Sequence, residues 1–394
     1  MVIAATSGSA STLAGAGARW MKPAAPQRSA ELQLAGELLP LVSPARLYVC
    51  GITPYDVTHL GHAATFVWAD AVESVLRSVG VRTVSCRNVT DIDDVLTSAA
   101  ADRGRRYDDL AVYQEFLFEQ DMAALRVRRP AASPRARHFI AEVQQLASAL
   151  IATGDAYERN GSVFFRGAGA FAACTLDEDA ALDLLAQSRG GAQDEDGDDP
   201  FDVPVWRSST GSDPAWPSPW GWGRPGWHAE CAAISLSTFG SGVDLLVGGE
   251  DLTFPHHAYQ AAMAQAATSG GPFARRAIHV GAVRYQGRKM AKSTGNLVLI
   301  ADLLHAYSPA AIRLLLLDRP WHASWEYRAT DLEAAAADVE TLHAAAGRSG
   351  GSAHASAAVI ERLLHDLDVP GALRIAREEG GEAARQLVRL LALS

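Results

Sequence analysis

An apolar segment, Arg46-Leu-Tyr-Val-Cys50, is followed by a helical pattern over residues 62–78 and a second apolar segment over 82–88. The first segment runs into Gly51 and Pro54, which end regular structure, so it predicts a buried strand that leads into a loop. A strand, a loop, a helix and a strand in this order predict two parallel strands joined by a right-handed crossover. The pattern favours an α/β fold with a doubly wound parallel sheet.

Five later segments extend this prediction. Asp244–Gly248 and Ala277–Gly281 read as two more buried strands, and a helical pattern over residues 256–268 lies between them. Residues 105–155 have a mostly helical pattern. Residues 186–226 are rich in Gly, Asp, Pro and Trp, which predicts that this segment is largely loop.

The 101 residues after Ser293 are rich in Ala and Leu and predict a mostly helical region. Thr330-Asp-Leu-Glu333 has the form of a capping box that opens one of its helices, and residues 347–352 predict a linker. We expect a disordered leader over 1–30, a catalytic domain over 31–306 with a helical insertion at about 105–160 and a loop-rich segment at 186–226, and a helical C-terminal domain over 307–394.

The composition of the chain argues against some classes of binding partner. Lys and Arg number 35 against 45 Asp and Glu, and a formal charge of −10 argues against a broad nucleic-acid surface. No apolar run approaches the ~20 residues of a membrane span. The four cysteines are too few and too scattered for a disulfide framework, which favours a reducing compartment. We expect a cytoplasmic protein, monomeric, with small-molecule partners and without nucleic-acid or membrane partners.

The tetrapeptide His59-Leu-Gly-His62 lies between the first predicted strand and its helix. Small residues there let the backbone approach a phosphate, and a helix N-terminus favours anions. Two histidines at this position can donate hydrogen bonds to the charge that develops on an α-phosphate during adenylyl transfer. Taken alone, the tetrapeptide is more often a chance pair of histidines at a helix start.

A second signal, Lys289-Met-Ala-Lys292-Ser293, lies in a loop after the last predicted strand. Two lysines on a glycine-flanked loop can neutralise the β- and γ-phosphates of ATP, and such a loop suits a lid. Alone, it predicts a solvated basic turn. Both signals in this order, about 230 residues apart, resemble the His-Ile-Gly-His and Lys-Met-Ser-Lys-Ser signatures of class I aminoacyl-tRNA synthetases.

Three further residues, Cys50, Cys231 and His256, fall where the two halves of the sheet should meet. Each by itself is more often a core cysteine or a capping histidine. Two thiolates and an imidazole together make a zinc site whose fourth position is open. Such a site would bind a substrate thiolate and would reject serine, because a hydroxyl is a poor zinc ligand at neutral pH. That discrimination would make an editing domain unnecessary.

Between about Leu47 and Asp368 the chain resembles the cysteinyl-tRNA synthetase group. Within it, the segments Cys50-Gly-Ile-Thr-Pro-Tyr-Asp56 and Thr58-His-Leu-Gly-His-Ala63 are similar to the ligases that join cysteine to glucosaminyl-inositol in mycothiol biosynthesis. Ser188-Arg-Gly-Gly191 also resembles a segment of those ligases.

Two further features favour the ligases over the synthetases. Gln260 stands where the synthetases have a glutamate as fourth zinc ligand, and the C-terminal region is too short to hold both a helical bundle and an anticodon-binding domain. The resemblance implies an ATP-dependent, AMP-forming ligase that makes cysteinyl-adenylate and transfers cysteine to an amine. One zinc ion per chain and Mg²⁺ bound with ATP are the implied cofactors.

The resemblance also implies roles for single positions. His59, His62, Lys289 and Lys292 would act on the phosphates of ATP, and Cys50, Cys231 and His256 would hold zinc. The positions implied to contact cysteine, its adenylate or ATP are Cys50, Gly51, Ile52, Thr53, Thr65, Asn88, Val89, Thr90, Trp227, Gly249, Glu250, Asp251 and Val283.

The chain also departs from the pattern. Ala291 replaces a serine of the lysine loop, Ala258 replaces a glutamate after the second His pair, and an acidic run covers residues 194–199. The alternatives therefore stay open at this point. They are a cysteine-activating ligase for another small amine or carrier, a cysteinyl-tRNA synthetase, and a non-catalytic relative that binds cysteine or a nucleotide.

Overall fold

A computed structural model describes residues 31–188, 197–209, 214–290 and 295–394. The predicted leader, Lys292, Ala291 and part of the acidic run lie outside the described residues. The strands are Glu31–Leu34 (β1), Glu37–Pro40 (β2), Ala45–Ile52 (β3), Thr83–Val89 (β4), Ala156–Arg159 (β5), Ser162–Phe165 (β6), Val203–Ser208 (β7), Trp216–Ser218 (β8), Gly221–Pro225 (β9), Val243–Gly249 (β10), Ala274–Val280 (β11), Val283–Tyr285 (β12), Arg288–Lys289 (β13) and Trp325–Glu326 (β14).

The helices are Leu60–Ser78 (α1), Asp94–Asp102 (α2), Tyr107–Ala124 (α3), Ile140–Thr153 (α4), Ala168–Ala172 (α5), Glu178–Ser188 (α6), Trp227–Phe239 (α7), Ala258–Thr268 (α8), Ile300–Ala306 (α9), Pro309–Leu317 (α10), Ala329–Ala346 (α11), Ala353–Leu364 (α12), Val369–Glu379 (α13) and Gly381–Leu390 (α14). Within the described ranges, no helix is both long and apolar enough to span a lipid bilayer.

The central sheet is parallel, with the strand order β11-β10-β3-β4. Tyr48 of β3 pairs with Cys86 of β4 on one side, and Val49 pairs with Val247 of β10 on the other. The chain leaves β3 toward one edge and later fills the other edge, so the direction of winding changes between β3 and β10. The predicted doubly wound α/β fold is confirmed, and its switch point opens a crevice at the carboxyl ends of these two strands.

Helix α1 is buried along almost its whole length because its apolar residues are distributed around the helix. It packs between the sheet and the C-terminal helices, and one hydrophobic core runs from β3 through α1 into α10–α14. Arg313 of α10 is fully buried and donates to the Asp70 carboxylate of α1 at 2.8 Å. The helical nature of the C-terminal region is confirmed, and the domain boundary after residue 306 stays a prediction.

The segment predicted to be loop, 186–226, contains three strands, so that prediction was wrong in part. β7, β8 and β9 complete a five-stranded antiparallel sheet of order β5-β6-β7-β9-β8, and the insertion is therefore not purely helical. A Cβ at Gly223 would lie 2.4 Å from the indole nitrogen of Trp206. Gly223 of β9 therefore lets the Trp206 ring of β7 pack closely against it. The same glycine-rich composition, taken alone, had suggested a loop.

The predicted capping box at Thr330–Glu333 is also wrong. α11 begins at Ala329 after Arg328, and no side chain caps its first turn. The chain before α11 forms β14, which pairs with β12. The helix can begin only after this strand pairing ends. The predicted linker over 347–352 is confirmed, since it joins α11 to α12.

Candidate metal and nucleotide site at the switch point

Three metal-binding side chains meet at the crevice between β3 and β10. Cys50 lies near the end of β3, Cys231 lies in α7, and His256 lies in the turn between β10 and α8. One ligand atom from each lies within 4.8 Å of the others, and all three residues are buried. The His256 Nε2 atom is 3.2 Å from the Cys231 sulfur. The fold therefore brings together the three residues that the sequence singles out, and they could hold a metal ion.

The donor set fits zinc. Tetrahedral zinc with ordinary bond lengths places its sulfur and nitrogen ligands about 3.6 Å apart, close to the separation found here. His228 Nδ1 lies 2.9 Å from His256 Nδ1, and this bond orients the His256 ring so that Nε2 faces the sulfur. The Asn88 amide donates to the Cys231 sulfur at 3.3 Å. Burial alone would raise the pKa of Cys231, but hydrogen bonds with Cys50 and His256 lower it well below its usual value.

Gln260 closes the inner side of the cluster. Its Oε1 atom accepts from the Cys50 thiol at 3.5 Å, and its Nε2 atom donates to the Cys231 carbonyl at 3.4 Å. The side chain is fully buried and neutral, so it adds no anionic ligand to the two sulfurs and the imidazole. Three protein ligands with one open position are the arrangement of catalytic rather than structural zinc.

The ends of β3 and β4 form the floor beside the cluster. The Gly51 amide donates to Asn88 Oδ1 at 3.0 Å, and a Cβ at Gly51 would lie 1.6 Å from the Asn88 carbonyl oxygen. The hydroxyls of Thr53 and Thr90 are 2.7 Å apart, and Thr90 also donates to the Ile52 carbonyl. Only a glycine permits this approach, which brings the end of β3 against Asn88, the donor to the Cys231 sulfur.

The histidine pair lies at the start of α1. His59 Nδ1 accepts from the Gly61 amide at 3.1 Å and thereby caps the helix, and the rings of His59 and His62 stack with centroids 3.7 Å apart. The Leu60 amide donates to the Val298 carbonyl at 2.8 Å. The backbone that follows the lysine loop is therefore joined directly to the histidine turn, so the two distant sequence signals are neighbours in space.

Lys289 faces the end of β10 across the crevice. Its ammonium lies 2.7 Å from the Asp251 carboxylate, and both side chains are about half exposed. A Cβ at Gly249 would lie 2.5 Å from Asp251 Oδ1 and 3.7 Å from the Thr65 hydroxyl. Asn296 donates to the Tyr285 and Lys289 carbonyls and holds the β12–β13 hairpin in place. Lys292 lies outside the described part of the chain.

The other site residues named from the sequence make ring, hydrogen-bond and packing contacts. The Trp227 ring stacks on His256 with centroids 4.2 Å apart, which makes it a wall of the metal cluster. The Glu250 carboxylate accepts from the Ser324 hydroxyl. Val283 is buried and its carbonyl accepts from the Met290 amide, while the Val89 amide donates to the Pro134 carbonyl.

Both histidines of the pair are neutral at pH 7. Burial, His62 and Lys289 lower the pKa of His59 to about 3. Desolvation by the walls of the crevice lowers the pKa of His62 to about 4; Lys289 lowers it too, and Asp251 acts in the opposite direction. A neutral imidazole still donates one N–H bond, so the pair can bind a phosphate oxygen as neutral donors.

The pKa of His59 predicts how stability depends on pH. Below the ordinary histidine pKa near 6.5, the unfolded chain binds a proton at His59 that the folded chain refuses until about pH 3. The free energy of unfolding is therefore expected to fall as the pH drops below 6.5, because the unfolded state binds more protons. His59→Asn keeps an N-cap acceptor and should show a shallower loss in chemical denaturation between pH 6.5 and 4.5. Equal slopes for both proteins would contradict the assignment.

Sequence reasoning did not single out His228, Asp93 or Glu230. Burial and the charge of Asp93 raise the pKa of Glu230 well above its usual range, and burial raises the pKa of Asp93 to about 6. The signals were present, since Glu230 precedes Cys231 and Asp93 lies in an Asp-rich turn. Their raised pKa values follow mainly from burial, and burial is visible only in the folded chain.

Comparison with known proteins shows which family and which relatives the chain resembles. Residues 42–337 match the family described as tRNA synthetases class I (C) catalytic domain. The chain is 40% identical to the L-cysteine:1D-myo-inositol 2-amino-2-deoxy-alpha-D-glucopyranoside ligase of Thermobispora bispora, over 86% of this chain and 87% of that protein. Ligases of the same name from Frankia alni and Mycobacterium ulcerans are 42% and 40% identical, over 84% and 89% of this chain and 81% and 89% of theirs.

Solved structures share the fold at low identity. Mycobacterium tuberculosis methionyl-tRNA synthetase bound by methionyl-adenylate superposes with a TM-score of 0.61 at 17% identity, covering 89% of this chain and 88% of that one. The Agrobacterium radiobacter leucyl-tRNA synthetase in a ternary complex gives a TM-score of 0.61 at 10% identity, covering 89% and 83%. These likenesses show the class I synthetase fold.

Proposed function

Because the chain belongs to the family of class I tRNA synthetase (C) catalytic domains and is an ATP-dependent cysteine ligase, we propose that it activates L-cysteine as cysteinyl-adenylate and transfers it to the amine of glucosaminyl-inositol. The observation that carries this proposal is the buried cluster of Cys50, Cys231 and His256, together with the hydrogen bond that joins the histidine turn to the backbone after the lysine loop. A thiol-selective site beside a phosphate-binding site is what activation of cysteine requires.

In the first step the carboxylate of cysteine attacks the α-phosphate of ATP, and pyrophosphate leaves. His59 and His62 donate hydrogen bonds to the oxygens on which charge develops, and the N-terminus of α1 adds its positive dipole. Lys289 and Lys292 hold the departing pyrophosphate, and Mg²⁺ bound with ATP would neutralise part of its charge. Lys289 must exchange its Asp251 partner for phosphate oxygens, which is possible because both groups are half exposed.

Recognition of the amino acid falls to the metal cluster and the floor beside it. Cys50, Cys231 and His256 would hold zinc, and when bound the zinc supplies a soft Lewis acid that prefers a thiolate to a hydroxyl. Trp227 stacks on the His256 ring and forms one wall of this end of the crevice. Thr90 accepts from the ammonium of cysteine.

In the second step the neutral amine attacks the carbonyl of cysteinyl-adenylate. A carbon–nitrogen bond forms, the carbon–oxygen bond to AMP breaks, and the amine proton passes to solvent. The products are an amide and AMP. The negative charge of the chain agrees with a small acceptor, since it disfavours a polyanionic one.

Lys289→Ala is expected to slow cysteine-dependent exchange of pyrophosphate into ATP by ~10- to 100-fold, the effect of one lost charge-assisted contact. The zinc content should not change, because Lys289 contacts Asp251 and none of the metal-binding residues. Arg288→Ala, at the exposed neighbouring position of β13, is the matched control and should retain the wild-type rate. Loss of zinc in the Lys289 variant would contradict its assignment to the phosphates.

Mass spectrometry of the products tests the whole proposal. Purified protein with ATP, cysteine and glucosaminyl-inositol should give the cysteinyl amide and AMP in equal amounts, and serine in place of cysteine should give neither. AMP and pyrophosphate without the amide would keep cysteine activation and reject this acceptor. No turnover by zinc-loaded protein would favour a binding protein instead.

A further inference from the structure

The side chain of Asn88 bridges the surroundings of two residues of the metal cluster. Alternate residues of a strand point to the same face of a sheet, so Asn88 of β4 shares a face with Cys86, which packs toward α7. The Asn88 amide nitrogen donates to the Cys231 sulfur at 3.3 Å, and Oδ1 accepts from the Gly51 amide at 3.0 Å. One buried amide group therefore contacts a cluster sulfur and the backbone that follows Cys50.

The neighbours of this amide group fix its orientation. The Gly51 amide is a donor and requires the side-chain oxygen of Asn88, so the NH₂ group must face the Cys231 sulfur. Rotation of the group by 180° would set one donor against another and lose both hydrogen bonds. A Cβ at Gly51 would lie 1.6 Å from the Asn88 carbonyl oxygen, so the backbones of the two strand ends are in direct contact here. Asn88 is therefore held as a donor to the sulfur.

The two sulfurs of the cluster have different neighbours. Gln260 presents its Oε1 atom, an acceptor, to the Cys50 sulfur at 3.5 Å, whereas Asn88 presents an N–H donor to the Cys231 sulfur. A thiol sulfur accepts weakly and an anionic acceptor accepts strongly, so this N–H forms its best hydrogen bond with a metal-bound thiolate. Asn88 is 1% exposed, and a donor buried this deeply needs an acceptor. The position of the N–H thus suits the metal-bound form of Cys231.

We infer that Asn88 is a positioning residue that acts on cysteine recognition through the Cys231 sulfur; this deepens the proposed function and rests on it. An N–H bonded to a thiolate withdraws electron density from the sulfur, which then donates less charge to a bound zinc ion. The two thiolates of Cys50 and Cys231 balance the charge of Zn²⁺ and so weaken its attraction for a third thiolate. By reducing the donation from Cys231, Asn88 keeps the open position favourable for the substrate thiolate.

Asn88→Asp is the first test, because it keeps an oxygen for the Gly51 amide and replaces the N–H at the sulfur with a second oxygen. Zinc affinity, measured by competition with a chromophoric chelator in the absence of substrates, should fall ~10- to 100-fold, the range for partners of metal ligands. At saturating zinc, the KM for cysteine in pyrophosphate exchange should rise ~10- to 100-fold, the effect of one hydrogen bond to a charged group. The KM for ATP should keep its wild-type value, because Asn88 contacts neither the histidine pair nor Lys289.

A second measurement reports on the sulfur itself and needs no turnover. In cobalt-substituted protein, the sulfur-to-cobalt charge-transfer band should move to longer wavelength in Asn88→Asp and in Asn88→Ala, because a sulfur without the N–H holds its electrons less tightly. Asn88→Ala adds neither a charge nor a metal ligand, so it provides the result if the aspartate variant fails to fold or binds the metal. Asn160→Asp, in the exposed turn between β5 and β6, is the matched control and should equal the wild type in zinc affinity, spectrum and KM.

The possible outcomes are distinct. A raised KM for cysteine with unchanged zinc affinity and an unchanged cobalt band would overturn the inference and assign Asn88 to direct contact with the substrate. A wild-type KM for cysteine in both Asn88 variants would overturn it as well. If the wild-type protein fails to exchange pyrophosphate with cysteine, the proposed function falls, and a shifted cobalt band would then leave only the contact between Asn88 and Cys231 standing.

Discussion

Cys231→Ser protein is expected to purify without zinc and to lose more than ~100-fold of its cysteine-dependent pyrophosphate exchange. A ~100-fold loss is the upper range for residues that only support metal ligands, and Cys231 is itself a ligand in this arrangement. Its sulfur contacts both His256 and Asn88, so a hydroxyl there would remove the donor around which the cluster is built. Metal analysis and the exchange assay on the same sample measure both effects.

Cys174→Ser is the matched control, because Cys174 is a free cysteine that lies outside the cluster. It should keep one zinc ion per chain and the wild-type exchange rate. Circular dichroism establishes that the Cys231 variant is folded. A folded Cys231→Ser protein that retains zinc, or that activates cysteine without it, would refute the metal assignment.

His62→Gln is expected to reduce the rate of pyrophosphate exchange by ~100- to 1000-fold, as removal of one donor to a developing negative charge does elsewhere. The loss should be in kcat more than in the KM for ATP, because the donor acts on charge that develops in the transition state. His62 is exposed within the crevice and stacks on His59, so its replacement removes a contact to substrate without opening a cavity.

His305→Gln provides the control for a histidine exposed on α9, and it should exchange pyrophosphate at the wild-type rate. Zinc content and thermal stability should be unchanged in both histidine variants. If His62→Gln raised the KM for ATP and left kcat intact, the histidine would bind the ground state only.

Much of the catalytic half could be predicted because its sequence patterns are local. The strand at Arg46–Cys50, its crossover helix and the following strand have strong apolar patterns, and all three form as expected. The antiparallel sheet of the insertion was missed because its strands are short and interrupted by Gly and Pro. One of these glycines, Gly223, is needed for the close approach of the Trp206 ring. Local composition cannot show such a contact.

The site residues also differ in whether the sequence alone could identify them. Cys50, Cys231 and His256 could be found because few chemistries use two thiols and an imidazole at strand ends, and the fold brings them together. His228 could not, because its value lies in a contact with His256, which is 28 positions away along the chain. The roles of the individual site residues stay predictions until the variants are measured.

The buried guanidinium of Arg313 links three distant parts of the chain. It donates to the Leu391 carbonyl at 2.7 Å, to the Leu125 carbonyl at 3.0 Å and to the Asp70 carboxylate of α1. The helix that begins beside the histidine pair is therefore anchored in part by the backbone at residue 391. A deletion that removes Leu391 is expected to leave a buried charge short of one acceptor, and so to lower the free energy of unfolding of the protein and loosen the support of the crevice.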